Sequence, residues 1–341
     1  MFTDIFHIDN AFRNYITRRL FPLLGCSAGD CAIEVPVSGT KTCIRLVRSK
    51  NGRCFIIRAY AKSDKSSAQQ LFLADNILQK HGIPSPKVVD YIALYSDKGV
   101  SFLTEEYIAG QIWREIAPDE TLARRLAVLL ARLHSIGSDG WGALRAPTRR
   151  GKYGSYRFKK VRHRLHGIGK FINDAGISRM EFRAACQWFK SYDCILDNLS
   201  SYQLVHDKLN SGNVICSPKL DTVYLLDFAT LHYGYRGKDI AQAELELLNE
   251  DPALGKIFLD EYFRHFPPET AEEYEAIAPF CRGYYHLARC STYLRRDHKS
   301  HAGKNAFKKD FVKRFRHHWQ ALSDIMQMEY TGASSANPDQ P

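Results

Sequence analysis

The stretch Leu204-Val205-His206-Asp207-Lys208-Leu209-Asn210-Ser211-Gly212-Asn213, followed by Leu225-Leu226-Asp227-Phe228-Ala229, decides the fold of this chain. Asn213 stands directly before one short apolar run and Asp227 directly after the next, with a Pro-containing turn between the runs. Two short strands joined by such a turn form a hairpin, which brings both side chains to one end. Amide and carboxylate oxygens are ligands that Mg²⁺ prefers, so the pattern predicts a magnesium site. An ordinary hairpin with polar ends is the open alternative.

The loop before Asn213 carries three candidate catalytic residues, His206, Asp207 and Lys208. In a phosphoryl-transfer loop of the pattern His-x-Asp-x-x-x-x-Asn, the Asp receives the proton of the acceptor hydroxyl. Here Lys208 occupies that position and Asp207 comes one residue too early. A protonated Lys stabilises the transferred group by its charge but accepts no proton, so Asp207 is the candidate base. His206 is predicted to brace the loop, and loss of catalysis is the alternative interpretation.

Two sequence signals near the amino terminus are typical of a segment whose backbone binds and covers phosphate groups. Ser38-Gly39-Thr40 is a turn of small residues between strand-like runs, where exposed backbone N–H groups can bind an anion. Asn51-Gly52 predicts a hairpin turn that leads into a strand over Arg53–Tyr60. In this strand Arg58 follows an apolar run, and its guanidinium can bind phosphate through two parallel hydrogen bonds.

A helix and a buried strand are predicted next. Apolar residues recur at helical spacing over Ser66–Gly82, which ends in a Gly stop. This helix offers no Glu to pair with Arg58, so Gln70 or Asp75 is the predicted partner. Val100–Gly110 has the composition of a buried strand that runs into a Gly-ended linker.

Taken in order, these segments resemble the aminoglycoside phosphotransferase and choline kinase superfamily of small-molecule kinases. The resemblance extends from about Ile33 to about Leu248. Besides the segments above it rests on four pieces: the turn Gly82-Ile83-Pro84-Ser85-Pro86, the hinge Glu105-Glu106-Tyr107-Ile108-Ala109-Gly110, the helical run Leu126–Ser135 and the segment Gly237-Lys238-Asp239-Ile240-Ala241.

The resemblance implies an α+β, bilobal protein-kinase-like fold with a small antiparallel-sheet N-lobe and a larger, mainly helical C-lobe. The implied boundaries are an N-lobe over 1–104 with a helical lead-in over 1–30, a hinge over 105–111, a C-lobe over 112–330 and a disordered tail over 331–341.

The resemblance also implies an activity, the ATP-dependent transfer of the γ-phosphoryl group to a hydroxyl of a small molecule or glycan. The implied nucleotide contacts are Ser38, Gly39 and Thr40 over the phosphates, Arg58 at the α- and β-phosphates, and the backbone of Glu106 and Ile108 at the adenine. Asn213 and Asp227 would bind Mg²⁺, and Asp227 would do so from the end of its strand. Lys208 is the main departure from the family pattern, because it replaces the catalytic Asp.

The charge of the chain bears on its partners. The 341 residues carry a formal net charge of +11, and a basic stretch with interleaved aromatics and no acid runs from Arg145 to Lys170. Such a stretch suits an anionic acceptor, carrying phosphate or carboxylate. A solvated helix face is the structural alternative. The functional alternative is a catalytically silent kinase-fold protein that binds nucleotide or an anionic partner, either nucleic acid, which is less favoured, or a membrane surface.

The remaining features predict a cytoplasmic protein. Nine cysteines without a Cys-x-x-Cys pair are interpreted as reduced, mostly core thiols. No apolar run approaches the roughly 18 to 20 residues of a membrane span, and the first residues lack the order of a secretory signal, although peripheral membrane contact stays open. His317-His318, and His298 with His301, are interpreted as solvated surface rather than metal ligands.

The carboxy-terminal third is predicted to be helical. Aromatic residues within Pro279–Leu294 are interpreted as core, with an acceptor pocket as the alternative. Lys304–Leu322 has the pattern of a basic amphipathic helix, which is predicted to dock on the C-lobe rather than enter a membrane. Its apolar stripe consists of Phe307, Phe311, Phe315 and Trp319.

Overall fold

The computed structural model describes residues 11–35, 43–61, 65–95, 99–145, 152–199, 201–219, 221–300 and 309–335. The predicted phosphate cover, Ser38, Gly39 and Thr40, lies outside these residues. The chain divides into two compact units. Unit 1 comprises the described residues up to Leu133, those of 143–146, and His206–His232. Unit 2 comprises the described residues of 134–142, 147–205 and 233–341.

Unit 1 is built on a five-stranded sheet. The strands are β1 Cys31–Glu34, β2 Cys43–Ser49, β3 Cys54–Tyr60, β4 Val88–Tyr95 and β5 Val100–Glu106. Their order is β1-β2-β3-β5-β4, and each neighbouring pair is antiparallel. The predicted Asn-Gly turn joins β2 to β3, with Gly52 at a φ of 84° that other residues rarely adopt. Strand β4 was not predicted from the sequence.

Helical residues before the sheet complete its core. Residues 11–15 are α-helical, Ile16–Leu20 form a π-helical turn and Phe21–Leu24 form α1. The ring of Tyr15 stacks on Phe102 with the centroids 4.4 Å apart. Burying aromatic rings of this size removes a large apolar area from water, so the helical residues are part of the unit 1 core.

Two longer helices and a second sheet complete unit 1. The helix α2 covers Lys65–Lys80, and its residues Leu71, Ala74 and Leu78 are buried at the predicted helical spacing. The second helix, α3, covers Glu120–His134. The second sheet has the order β11-β10-β6, formed by β6 Gln111–Ile112, β10 Val214–Cys216 and β11 Val223–Leu225.

Unit 2 is mainly helical. Its helices are α4 Tyr153–Gly169, α5 Ile172–Ala175, α6 Arg179–Ser191, α7 Asp193–Asp197, α8 Gly237–Gln242, α9 Pro252–Phe263, α10 Glu269–Ser300 and α11 Lys309–Ser335. The short strands are β7 Gly137–Ser138, β8 Gly142–Ala143, β9 Tyr202–Val205 and β12 His232–Gly234, and a π-helical turn covers Ala243–Leu247. The fold is therefore a mixed α+β fold with an antiparallel-sheet amino-terminal region and a helical carboxy-terminal part, as predicted.

The core of unit 2 is aromatic, and it contains the predicted carboxy-terminal residues. Phe280 and Tyr284 of α10 are buried together with Phe315 and Trp319 of α11. The amphipathic helix thus docks on the helical core, as predicted, and α10 supplies core aromatics. Residues 304–308 of the predicted helix lie outside the described part of the chain, and α11 extends to Ser335, into the segment predicted to be a disordered tail. Among the described residues, no helix is both long and apolar enough to span a membrane.

The interpretation of His317-His318 as solvated surface was wrong for His318. His318 is buried, and its Nδ1 lies 3.0 Å from Nδ1 of His286 in a hydrogen bond between α10 and α11. The helices pack so closely at this point that the ring is removed from water. The nine thiols are all free. Three are buried, and four more are partly buried against the cores of the two units: Cys216, Cys281 and Cys290, and Cys26, Cys31, Cys43 and Cys186.

Candidate functional site

The strand pair predicted around the candidate metal ligands is present. In β10 and β11, Val214 lies opposite Leu225, and the N–H of Leu226 donates to the carbonyl of Asn213 over 2.8 Å. Asn213 and Asp227 therefore lie at the same end of the hairpin. Residues 217–222 close the other end, where the N–H of Ser217 donates to the carbonyl of Thr222.

The amide group of Asn213 is oriented by the loop that precedes it. Its Nδ2 donates to the carbonyl of Lys208 over 2.9 Å, and Nδ2 of Asn210 donates to the same carbonyl over 3.0 Å. Because the nitrogen of the Asn213 amide is used in this bond, Oδ1 is the atom presented to a cation. The loop conformation thus leaves the amide oxygen of Asn213 as the atom of this side chain that could hold a metal ion.

Asp227 is held by two cations. Its Oδ2 forms an ion pair with Nζ of Lys208, whose side chain is half exposed. Burial alone would raise the pKa of Asp227, but the hydrogen bond and charge of Lys208, with a further contribution from Arg58, hold the pKa below its ordinary value. The Asp227 backbone has a φ of 60°, in the left-handed region that Asp tolerates better than most residues. Asp227 is therefore a carboxylate at neutral pH, and its charge is partly neutralised by Lys208.

His206 lies beneath the loop rather than at its surface. The side chain is fully buried, its Nε2 lies 2.7 Å from the carbonyl of Leu226, and its ring lies against Phe228. Thr230 donates a hydrogen bond to the carbonyl of His206 over 2.9 Å. These bonds connect the loop to the residues on either side of Asp227. The adjacent Asp207 is partly buried and has a left-handed φ of 60°.

The partner of Arg58 differs from the prediction. Arg58 donates from both Nε and Nη2 to Oε1 of Glu105, over 2.9 and 2.7 Å. Neither Gln70 nor Asp75 takes this role, and Nε2 of Gln70 instead donates to the carbonyl of Leu231. In the register of β3 and β5, Arg58 lies opposite Leu103, so Glu105 is its diagonal neighbour on the same face. Charge attraction from Glu105 raises the pKa of Arg58 further above its ordinary value.

Sequence reasoning missed Glu105, although a signal was present. Glu105 ends an otherwise buried run of β5, and a carboxylate in such a run requires a partner. Asp75 was considered only as a partner for Arg58, and its actual position is against a small cavity of about 20 Å³, lined also by Arg58, Glu105 and Asp227. Burial raises the pKa of Asp75. A cavity of this size has room for about one water molecule.

The predicted adenine contacts lie where β5 ends. The N–H of Glu106 donates to the carbonyl of Lys87 over 2.9 Å, and that of Tyr107 donates to the carbonyl of Cys54 over 3.0 Å. Glu106 is the last residue of β5, and Ile108 lies beyond the strand. The N–H groups of Glu106 and Tyr107 are thus used within unit 1, by the carbonyls of Lys87 and Cys54.

The described residues contain no group of three or more His, Cys, Asp or Glu side chains that could enclose a metal ion. Asn213 and Asp227 instead form a two-residue donor set of hard oxygens. Such a set fits the way Mg²⁺ is held in nucleotide enzymes, where the substrate phosphates and water complete the octahedron. The chemistry of these donors thus fits magnesium, with the ammonium of Lys208 as a competitor for Asp227.

In unit 2, Asp239 is fully buried. Its Oδ2 lies 3.3 Å from Nε2 of His134, and Nδ1 of the same His lies 2.8 Å from the hydroxyl of Tyr262. This network connects the end of α3 with α8 and α9. The basic stretch of the sequence forms α4, in which Arg157 is buried against the ring of Tyr284.

Solved structures of small-molecule phosphotransferases have the same fold. The macrolide 2′-phosphotransferase of Brachybacterium faecium has a TM-score of 0.59 and 15% identity, covering 96% of this chain and 99% of that chain. The ethanolamine kinase of Plasmodium vivax has a TM-score of 0.58 and 16% identity, covering 86% and 83%. A spectinomycin phosphotransferase in complex with ADP and spectinomycin has a TM-score of 0.58 and 14% identity, covering 91% and 98%. At such identities the likeness establishes the kinase-like fold.

The sequence itself identifies the family. The model of the phosphotransferase enzyme family matches residues 44–280, more than half of the chain. The protein belongs to this family, and the predicted resemblance is confirmed. None of the curated protein sequences that were compared matches the chain.

Proposed function

We propose that this protein transfers the γ-phosphoryl group of ATP to a hydroxyl of a small molecule or glycan that carries negative charge. The observation that carries the proposal is the convergence of Asn213 and Asp227 at one end of a hairpin, with Arg58 close enough to lower the pKa of Asp227. Membership of the phosphotransferase enzyme family supports the reaction class. The complex of the spectinomycin enzyme with ADP supports an adenine nucleotide.

The nucleotide would be held by backbone and cation contacts of unit 1. Arg58 uses Nε and Nη2 on Glu105, so the remaining N–H groups of its guanidinium are the donors for the α- and β-phosphates. Glu105 fixes the direction of the guanidinium before a ligand arrives. The hinge carbonyl of Glu106 and the backbone of Ile108 would contact the adenine. Ser38, Gly39 and Thr40 remain the proposed cover of the phosphates.

The metal role falls to Oδ1 of Asn213 and the carboxylate of Asp227. Mg²⁺ held by these two residues would supply positive charge that stabilises the negative charge developing on the nucleotide phosphates during transfer. The depressed pKa of Asp227 keeps its carboxylate ionised at neutral pH. The hydrogen bond from Asn213 to the carbonyl of Lys208 holds the amide in a fixed orientation.

Lys208 and Asp207 would share the work of the missing catalytic Asp. Phosphoryl transfer passes through a loose transition state, so positioning and charge matter more than a strong base. The ammonium of Lys208 can balance charge on the transferred group, and Asp207 is the carboxylate for the hydroxyl proton. The buried His206 would position the loop through its bond to the carbonyl of Leu226.

The anionic acceptor is proposed from the charge of the chain. The net charge is +11, and no acid occurs between Arg145 and Lys170. A surface of this sign attracts phosphate- or carboxylate-bearing molecules and repels cationic ones.

A second candidate function is metal-independent nucleotide binding without transfer. One observation favours it: the ammonium of Lys208 is paired with the carboxylate that would otherwise bind the metal. A cation of the protein would then balance the charge that Mg²⁺ balances in an active kinase.

A thermal-shift titration separates the two candidates. The melting temperature is measured with ATP and with GTP, with and without Mg²⁺, for the unchanged protein and for Asp227→Ala. Asp221→Ala is the matched control, because Asp221 is an exposed carboxylate at the opposite end of the same hairpin. At a ligand concentration of about 100 Kd, binding adds about 2.7 kcal/mol of stability.

The pattern of shifts decides the outcome. A Mg²⁺-dependent shift that Asp227→Ala removes and Asp221→Ala retains supports phosphoryl transfer, and release of ADP with anionic hydroxyl acceptors then tests the reaction itself. A shift of equal size without Mg²⁺ supports metal-independent binding. Absence of a shift with either nucleotide contradicts both candidates.

A further inference from the structure

Unit 2 contains a cavity, lined in part by the basic stretch, that takes no part in the proposed binding of nucleotide and metal. It lies between α4 and α10 and has a volume of about 540 Å³. Its lining contains the cations Lys160, Arg164 and Lys170 and the imidazole rings of His163 and His166. Phe171, Tyr284 and Leu294 are among the residues that complete the wall. A cavity of this volume falls in the range of small-molecule sites.

The cations of this cavity have no acidic partner among the residues that the structure describes. The helix α4 contains no Asp or Glu, and none of the residues that line the cavity is acidic. Within the described part of the chain, Lys160, Arg164 and Lys170 form no salt bridge. Like charges held this closely repel one another, and an anion in the cavity relieves that repulsion.

Two features make the cavity a formed site. Nε of Arg164 donates to the hydroxyl of Tyr284 over 3.2 Å, and the guanidinium lies 5.4 Å from the centre of the same ring. Tyr284 is itself buried, so Arg164 is oriented before a ligand binds, with its other N–H groups available. At Gly167, a Cβ would meet open space, so the helix leaves room in the wall where a side chain would fill it.

We propose that this cavity binds a small molecule that bears a phosphate group and an apolar part. The fork of Arg164 and the ammonium of Lys160 suit phosphate oxygens, and Phe171 with Leu294 suits the apolar part. A nucleic acid or a membrane would be bound by cations spread along an extended surface or groove, whereas these cations line one cavity of small-molecule size. The proposal does not depend on phosphoryl transfer, since the binding needs neither nucleotide nor metal.

Calorimetric titration of the full chain, without nucleotide or metal, tests the proposal. The probes are phenyl phosphate, inorganic phosphate and phenol, which separate the charged part from the apolar part. Phenyl phosphate should bind more tightly than inorganic phosphate, and phenol should not bind measurably. The double variant Lys160→Gln with Arg164→Gln should weaken phenyl phosphate binding by about tenfold or more, equivalent to about 1.4 kcal/mol.

The matched control is Lys159→Gln with Arg162→Gln, two exposed cations of the same helix that do not line the cavity. This control removes the same charge and should change the affinity by no more than about twofold, since only long-range attraction is lost. The variant Lys160→Gln with Lys170→Gln repeats the test without touching the bond between Arg164 and Tyr284. Asp227→Ala should retain phenyl phosphate binding, which separates this site from the nucleotide site.

Three results would overturn the proposal. The first is an equal loss of phenyl phosphate affinity in the cavity double variant and in the control double variant, which would indicate a general effect of net charge. The second is no binding of phenyl phosphate at millimolar concentration. The third is tighter binding of a single-stranded oligonucleotide or of anionic vesicles that both pairs weaken alike, which would assign the basic face to a polyanion.

Discussion

The cations of the candidate nucleotide site in unit 1 and those of the α4 cavity in unit 2 are arranged in opposite ways. In unit 1, Arg58 and Lys208 are each paired with a carboxylate, Glu105 and Asp227. In unit 2, the cations that line the α4 cavity form no salt bridge with a carboxylate of the described residues. A paired cation is already neutralised, so it positions its partner and contributes little free charge. An unpaired cluster keeps its field, which makes it available to an anionic ligand.

The largest expected effect concerns the partly buried ion pair of Arg58 and Glu105. Glu105→Leu should lower the free energy of unfolding by about 3 kcal/mol, because it leaves the guanidinium of Arg58 buried without its counter-charge. The side chains of Arg58 and Glu105 are 24% and 11% exposed, so water screens the pair only partly. Urea unfolding at neutral pH measures the change.

The control for this prediction is the double variant Arg58→Met with Glu105→Leu. Replacing both charges by apolar groups of similar volume should recover most of the lost stability. If the double variant is as unstable as Glu105→Leu, the loss of stability comes from altered packing rather than from the uncompensated charge of Arg58.

The pair of His286 and His318 sharpens the comparison, because neither ring forms a salt bridge with a carboxylate among the described residues. Burial lowers the pKa of His286 to about 4 and that of His318 to about 3, with added repulsion from His317 and Arg289 on His318. The unfolded chain binds these protons near the ordinary His pKa of about 6.5, and the folded chain does not. Stability is therefore complete above that pH and should fall as the pH drops toward 4, by up to about 1.4 kcal/mol per pH unit for each His.

Urea midpoints at pH 7.5, 6.0 and 5.0 measure this loss. The variant His286→Phe with His318→Leu should have a flatter profile over the same range, whatever its absolute stability. A control, His265→Gln, removes an exposed His and should leave the slope unchanged. Equal slopes for the unchanged protein and the buried-pair variant would contradict the assignment.

The role of Lys208 separates the two candidate functions and should have a moderate effect. Lys208→Met removes the ammonium that competes with a metal ion for the Asp227 carboxylate. We therefore expect Mn²⁺ or Mg²⁺, in the presence of nucleotide, to bind about tenfold more tightly, because binding no longer breaks an ion pair near the surface. The pair is half exposed on the Lys side, so the loss of stability should stay below about 1 kcal/mol. Calorimetry with Mn²⁺ measures the first effect and urea unfolding the second.

An exposed Lys of the neighbouring turn provides the control. Lys219→Met lies at the other end of the hairpin and should leave the metal affinity unchanged. If Lys208→Met weakens metal and nucleotide binding instead, Lys208 holds the phosphates rather than the metal position.

The sequence predicted the parts of the site that depend on local order along the chain. The hairpin with Asn213 and Asp227 at one end follows from two apolar runs and a turn, and the strand of Arg58 follows from an Asn-Gly signal. The partner of Arg58 could not be found in this way, because the diagonal placement of Glu105 depends on the register between β3 and β5. His318 was misassigned for the same reason, since its burial depends on how α11 packs against α10.

The α4 cavity could be predicted only as a charge pattern. The run of cations from Lys160 to Lys170 is visible in the sequence, but its concave shape depends on Tyr284 and Leu294 of a distant helix. A helical stripe of charges is usually a solvated face. Only the structure separates the cations that line the cavity from those, such as Lys159, that do not.

The smallest expected effect completes the comparison between paired and unpaired cations. Lys160→Gln with Lys170→Gln removes two exposed charges that have no salt bridge among the described residues, so the free energy of unfolding should change by no more than about 0.5 kcal/mol. At low salt the double variant should be slightly more stable than the unchanged protein, because two of the mutually repelling charges are gone. This gain in the free energy of unfolding should vanish near 1 M salt, where the Debye length is about 3 Å. Thermal unfolding at low and high salt measures both. A destabilising effect that persists at high salt would mean that these lysines have partners in the fold, and the contrast with Arg58 and Lys208 would fail.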